Sequence, residues 1–245
     1  MKFPMVWKAW VLGLATVGGL LISGYYWRLA SGSGPSEFAP RIVADAKAAL
    51  AELRDGNDRF VHSARVLSTD TGHDADVRRQ TAKEQHPLAV VLCCSDSRVC
   101  PEFIFDQPAG SFFEVRNAGN VVDEDVLASC EYAVEHLHVP LLMVMGHKGC
   151  GAIEAVYNAH GKPLHEHLEA LQVHMTGIQE DVVANSENGG PEVLVHLSEK
   201  NAKQQALSVL RESRIVRSAV EAGQCQVLYG LYDMETGSVD FHTLN

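Results

Sequence analysis

Apolar residues along the chain fall into two periods. Leu88-Ala89-Val90-Val91-Leu92-Cys93 is a continuous apolar run of strand length, the pattern of a strand covered on both faces. Phe112 to Val115 reads as a second strand and Pro140 to Met145 as a third. The stretch between those two is helical, with Leu127, Tyr132, Val134 and Leu137 as expected core positions. Upstream, from Arg41 to Phe60, Ile42, Ala46, Ala49, Leu50 and Leu53 recur at helical spacing, and Gly56-Asn57 is the expected stop. Gln224 to Leu231 and Val239 to Leu244 read as two late strands, turned by Glu235-Thr236-Gly237. Short apolar strands alternating with helices predict an α/β fold with a mostly parallel central sheet flanked by helices. In such sheets chemistry gathers at the carboxyl ends of the strands.

The first forty residues follow neither period. Ala9 to Trp27 is a run of 19 residues without charge, bounded by Lys8 and Arg28. That exceeds a signal-peptide core of roughly 7–15 residues and approaches the roughly 20 that span a bilayer. Lys2 and Lys8 ahead of it favour a cytoplasmic N-terminus. Gly13, Gly18, Gly19 and Gly24, with the terminal position, argue against a buried core helix. Cleaved signal and retained anchor both stay open, because Arg28-Leu29-Ala30 is a poor cleavage site and Ile22-Ser23-Gly24 a tolerable one. Ser31-Gly32-Ser33-Gly34-Pro35 reads as a flexible linker. The expected layout is a signal or anchor over 1–30, a linker over 31–40 and one folded domain over 41–245, carried to an extracytoplasmic compartment, periplasm or cell surface.

The net charge of -11 argues against nucleic acid as a partner, since phosphate binding needs clustered Lys and Arg. Six cysteines are present. Four of them, Cys93, Cys100, Cys130 and Cys225, have no assignment from the sequence. The other two, Cys94 and Cys150, belong to the chemistry that ends two of the strands. The first strand runs into Cys94-Ser95-Asp96-Ser97-Arg98, and the third into Gly146-His147-Lys148-Gly149-Cys150-Gly151. Thiolate and imidazole are the ligands zinc prefers, and one short turn can present both His147 and Cys150. Three protein ligands leave a tetrahedral ion one open position, where a water is acidified towards a pKa of about 7. Asp96 and Arg98 can pair in a bidentate bond that keeps the carboxylate ionised and aimed.

At these residues the chain resembles the β-class carbonic anhydrases, whose two signatures are Cys-Ser-Asp-Ser-Arg-Val and His-x-x-Cys-Gly. The similarity runs from about Gly56 to Gly237 and takes in Arg116-Asn117-Ala118-Gly119-Asn120 and Gly230-Leu231-Tyr232-Asp233. It implies one zinc ion per subunit on Cys94, His147 and Cys150, with Asp96 and Arg98 as the catalytic dyad. It also implies substrate-binding roles for Gln85, Phe113, Tyr132 and Gly151. The implied reaction is attack of hydroxide on carbon dioxide to give bicarbonate and a proton. The implied assembly is a homodimer or higher even oligomer, embraced by an N-terminal helical arm, with the pocket at the subunit interface. A bicarbonate-regulated subset carries tryptophan three residues before the first cysteine ligand; Val91 stands there, which implies the unregulated type. Two other readings stay open: hydrolysis of carbonyl sulfide or carbon disulfide with the same ligands, which the sequence separates poorly because pocket access decides, and a zinc-holding module without turnover, which intact Asp96, Arg98 and Gln85 argue against. A membrane tether through residues 9–27 completes the expectations.

Overall fold

Five strands make one sheet in the order β2-β1-β3-β4-β5: β1 is Ala89–Cys94, β2 Phe112–Asn117, β3 Leu141–His147, β4 Gln226–Tyr232 and β5 Val239–Thr243. In this computed structural model, which describes residues 40–65, 75–175, 178 and 191–244, the first four strands are parallel and β5 runs antiparallel to β4. The helices are α1 Ala46–Val61, α2 Ala75–Thr81, α3 Pro101–Ile104, α4 Glu124–Glu135, α5 Gly151–Asn158, α6 Glu169–His174, α7 Pro191–Glu212 and α8 Arg214–Glu221. All five expected strands are present. β1 and β3 reach further than the apolar runs suggested, so Cys94 and His147 are the last residues of their strands rather than the first of a loop.

Every residue of β1 and β3 is buried, because helices cover both faces. Alternate side chains go to opposite sides. Val90, Leu92, Leu142 and Val144 pack with Val126, Cys130 and Ala133 of α4 and with Ala202, Ala206 and Val209 of α7. Val91, Cys93, Met143 and Met145 pack with Ala49 and Leu53 of α1 and with Ile104 and Phe105. Full burial of a Leu or Val side chain contributes roughly 1.5–3 kcal/mol, so these two layers carry most of the fold. From β1 the chain passes to β2 on one side, then returns across the sheet to β3 on the other. The carboxyl ends of β1 and β3 therefore flank a topological switch point, where open α/β sheets bind ligands.

Three expectations about helices are corrected. The first helix starts at Ala46, not Arg41, because Asp45 caps it: the Asp45 carboxylate accepts from the Ala48 N–H at 2.8 Å. Ile42 is left 80% exposed. The same helix runs through Gly56-Asn57 to Val61 instead of stopping there. Gly56 lies where α1 meets the Phe105 carbonyl, which any Cβ would strike. Asn57 donates to the carbonyls of Ile104 (3.1 Å) and Gly237 (2.8 Å) and accepts from the Val239 N–H (2.9 Å). The pair is a packing and cross-linking point in mid-helix. Tyr132 is not a core residue of α4 but 47% exposed. The buried stripe is Val126, Cys130, Ala133 and Val134, and Tyr132 falls off it.

Among the described residues no helix is long and apolar enough to cross a membrane. Ala9 to Trp27 and the linker lie outside the described residues.

Candidate metal centre

The two strand ends at the switch point bring three ligand atoms together. Cys94 closes β1 and His147 closes β3. Gly149, at φ 67°, turns the chain so that Cys150 becomes the N-cap of α5. The ligand atoms of Cys94, His147 and Cys150 lie within 4.8 Å of one another, and the two sulfurs are 4.0 Å apart. All three residues are buried. Two thiolates on one tetrahedral ion at Zn–S of about 2.3 Å would be separated by about 3.8 Å, so the observed spacing fits zinc.

The histidine supplies a second test of fit. Its Nδ1 lies 3.0 Å from the Lys148 carbonyl oxygen, which can only accept, so Nδ1 carries the proton. Nε2 is then a bare lone pair, buried, and without a hydrogen-bond partner among the described residues. A buried nitrogen left unsatisfied costs about 1–3 kcal/mol unless something binds it. An electrophilic cation is what this nitrogen and two thiols are built to take.

The thiols are tuned unequally. The adjacent Cys150 thiol, chiefly, holds the Cys94 thiol well below the usual range, with the N–H groups of Gly119 and Asp96 adding to it. The Gly119 N–H stands 3.3 Å from the sulfur. Sharing its proton with Cys94, together with burial, pushes Cys150 up. A cation would displace that shared proton.

The neighbouring carboxylate is fixed by its own loop. Arg98 donates through Nε to Asp96 Oδ1 (2.9 Å) and through Nη2 to Oδ2 (2.8 Å), and its backbone N–H adds a third bond at 3.0 Å. These bonds hold the Asp96 carboxyl well below the ordinary carboxylate range. One arginine sets the loop itself: Arg116 Nη2 donates to the carbonyls of Cys94, Asp96 and Val99. Behind it, Asn117 and Val121 exchange two 2.9 Å bonds, which aim the Gly119 N–H at the sulfur. The Gly119 carbonyl accepts from Asn201 of α7 at 2.8 Å, and Gln205 bonds both Asn201 and the Val122 N–H. The only local sign of Asn201 and Gln205 in the sequence is two amides four apart on a helix face otherwise set with alanine and valine.

The structure thus gathers Cys94, Asp96, Arg98, His147 and Cys150, with Gly151 next in line as the first residue of α5. Gly151 is exposed and would have room for a Cβ. Gln85 is exposed on the approach to β1, while Phe113 and Tyr132 pair at 6.0 Å on β2 and α4. These three stand apart from the ligand cluster within the protomer. Beside the dyad lies a groove of about 590 Å³ bordered by Ser95, Arg98, Arg116, Phe60, Phe103 and Tyr232.

Residues 89–239 match the family model described as carbonic anhydrase. The chain belongs to the β-carbonic anhydrase family. The carbonic anhydrase of Mycolicibacterium smegmatis is 47% identical over 112 residues, covering 46% of this chain and 53% of that protein. The chain thus spans about half the length of that curated relative. The carbonic anhydrase of Pseudomonas aeruginosa is 35% identical over 176 residues, covering 66% and 76%. Among solved structures, a Coccomyxa β-carbonic anhydrase in complex with acetazolamide superposes with a TM-score of 0.62 at 26% identity, covering 81% of this chain and 86% of that one.

Proposed function

We propose that this β-carbonic anhydrase interconverts carbon dioxide and bicarbonate at a zinc centre on Cys94, His147 and Cys150, one ion per subunit, in an extracytoplasmic compartment. One observation carries the reading: the partnerless Nε2 of buried His147 faces two sulfurs 4.0 Å apart, beside a carboxylate locked by Arg98. Zinc bound there supplies Lewis acidity, bringing the pKa of a water towards about 7.

The chain's own residues do the rest. Asp96, held ionised, can only accept, so it takes the proton of a hydrogen bond from the attacking water and turns its lone pair toward the electrophilic carbon. Arg98 keeps that carboxylate in one orientation. Lys148 keeps His147 in the tautomer with Nε2 free. Arg116 fixes the loop carrying Cys94 and Asp96 as one rigid piece. Water adds its oxygen to carbon dioxide, one proton leaves to solvent, and bicarbonate departs. Gln85 and the first N–H of α5, at Gly151, position the substrate, and Phe113 and Tyr132 close the pocket in a homodimer or higher even oligomer. The 47% exposure of a large aromatic such as Tyr132 in the single protomer supports a covering partner.

A carbon dioxide hydration assay on protein lacking residues 1–34, with zinc content measured alongside, tests the reading. Stoichiometric zinc with hydration well above the buffer rate is expected. Zinc-loaded protein that hydrolyses carbonyl sulfide or carbon disulfide but leaves carbon dioxide untouched would overturn it. For the location, the uncharged run from Ala9 to Trp27 is the support. Fractionation of the host should find the enzyme outside the cytosol. N-terminal sequencing then separates an anchor, with Met1 intact, from a cleaved signal, with a start between about Gly24 and Ser33.

A further inference from the structure

The metal loop is tied down at a point that no ligand or dyad residue explains. Lys148 lies between His147 and Gly149, and all three of its polar groups are engaged. Its N–H donates to the Tyr232 carbonyl at 2.9 Å, its carbonyl faces His147 Nδ1 at 3.0 Å, and its Nζ donates to Asp233 Oδ2 at 2.7 Å. Asp233 is no loose surface acid. Its other oxygen accepts from the N–H of Glu235 at 2.9 Å and of Thr236 at 3.4 Å, its own N–H bonds the Ser238 carbonyl at 2.9 Å, and its carbonyl takes the Gly237 N–H at 2.8 Å. One carboxylate oxygen therefore belongs to the turn between β4 and β5, and the other is free to reach across to the loop.

We infer that Asp233, acting through Lys148, is a positioning residue for His147: the turn between β4 and β5 fixes the peptide whose carbonyl selects the histidine tautomer and aims Nε2. The pair is partly exposed, with side-chain exposures of 39% for Lys148 and 16% for Asp233. An ion pair in that setting adds little to global stability. Gly149 follows Lys148, and a glycine has the widest conformational freedom of any residue, so without a tether the Lys148 peptide could rotate. The strand bond to Tyr232 fixes only the N–H side of Lys148. The side-chain bond to Asp233 restrains the residue whose carbonyl receives Nδ1. Partners one step behind a metal ligand set its orientation and typically matter by 10–100-fold in metal affinity.

The inference rests on the zinc centre proposed above, not on its substrate. The experiment is zinc affinity by competition with a chromophoric chelator, on the full chain. Asp233→Asn and Lys148→Met are each expected to weaken zinc by roughly 10-fold, and the double variant no more than either alone, because both break one strap. Lys148→Arg, which keeps a cation for Asp233, should recover most of the affinity. The thiolate-to-cobalt absorption of cobalt-loaded protein should shift in both single variants, and the metal-free unfolding midpoint should barely move. Glu52→Gln, which breaks the exposed Arg41–Glu52 pair at 2.7 Å, serves as the control and should leave affinity unchanged. Should Asp233→Asn fail to fold, Lys148→Met alone decides, since the turn is then intact. Wild-type zinc binding matched within about twofold by every foldable variant would overturn this inference alone. Wild-type protein that takes up no zinc would overturn the metal centre and this inference together.

Discussion

Both carboxylate oxygens of Asp96 are met by one guanidinium, that of Arg98, at 2.9 and 2.8 Å. The fork fixes position and charge at once, because it holds the carboxyl well below the ordinary carboxylate range. Asp96→Asn presents an amide to the arginine and cannot keep that fork. The variant should retain its zinc and lose hydration activity by a factor on the order of 10² or more. Metal content and initial rate, measured on one preparation, check this; parallel loss of both would make Asp96 a structural residue. The wild-type rate should show no titration of this carboxyl above about pH 5.

The six cysteines sort by environment. Cys93, Cys94, Cys130, Cys150 and Cys225 are buried, and Cys100 alone is partly exposed. Desolvation pushes Cys130 and Cys225 up to about 12, and pushes Cys93 higher still. Alkylation of folded, zinc-loaded protein should therefore mark Cys100 first. Chelation should add Cys94, whose thiol stands well below the usual range, and Cys150 only after it, because the shared proton and burial push that thiol up. Peptide mass mapping before and after chelation reads this directly. Cys150→Ser should lose zinc and activity together, and labelling of Cys94 that ignores the chelator would argue against the ligand assignment.

The strands and the clustering of Cys94, His147 and Cys150 were legible because each rests on a local signal: Val90, Val91 and Leu92 form an unbroken apolar run, and Cys94 and His147 end such runs. What the sequence hid depends on long-range partners. Asn57 looked like a helix stop because a Gly-Asn pair commonly is one. Only the carbonyls of Ile104 and Gly237, 47 and 180 residues away, make it a cross-link. Nothing local distinguishes Lys148 until Asp233 arrives from 85 residues downstream. Tyr132 directly precedes Ala133 and Val134 of the buried stripe in α4, and its angular offset from them sends it to the surface.

Asn57 offers a stability test away from the chemistry. Asn57→Ala would strand two carbonyls and one N–H in the region where α1, α3 and the turn between β4 and β5 meet. Each buried group left unsatisfied costs about 1–3 kcal/mol, so with partial relaxation a loss on the order of 3 kcal/mol is expected. Gly56→Ala should be at least as costly, because its Cβ meets backbone at Phe105 rather than a side chain that can swing aside. Denaturant midpoints measure both. A loss below about 0.5 kcal/mol in Asn57→Ala would mean water replaces all three bonds.

Glu114, on β2, gives a pH dependence whose sign follows from its surroundings. Its carboxyl is pushed from 4.5 up to about 8, first by burial and then by the Glu102 carboxyl beside it, with Arg116 pulling the other way. Arg116 Nη1 is 3.9 Å from Glu114 Oε2, a weak contact, while Oε1 is buried without a partner among the described residues. Above about pH 4.5 the unfolded chain releases this proton and the folded protein keeps it. Stability from this site is therefore greatest below pH 4.5, falls as pH rises towards 8, and is level beyond. Glu114→Gln keeps the shape and removes the titration, so the variant should gain on wild type steadily between pH 5 and pH 8. With the side chain 22% exposed, the gain at pH 9 should be on the order of 2 kcal/mol. Below pH 5 the two proteins should differ little. The zinc content should be unchanged, because Arg116 still holds the Cys94, Asp96 and Val99 carbonyls through Nη2. Paired thermal melts across this range decide it: a difference that stays constant with pH would mean that Glu114 is ionised in the folded protein throughout, and that its neighbours satisfy it as a carboxylate.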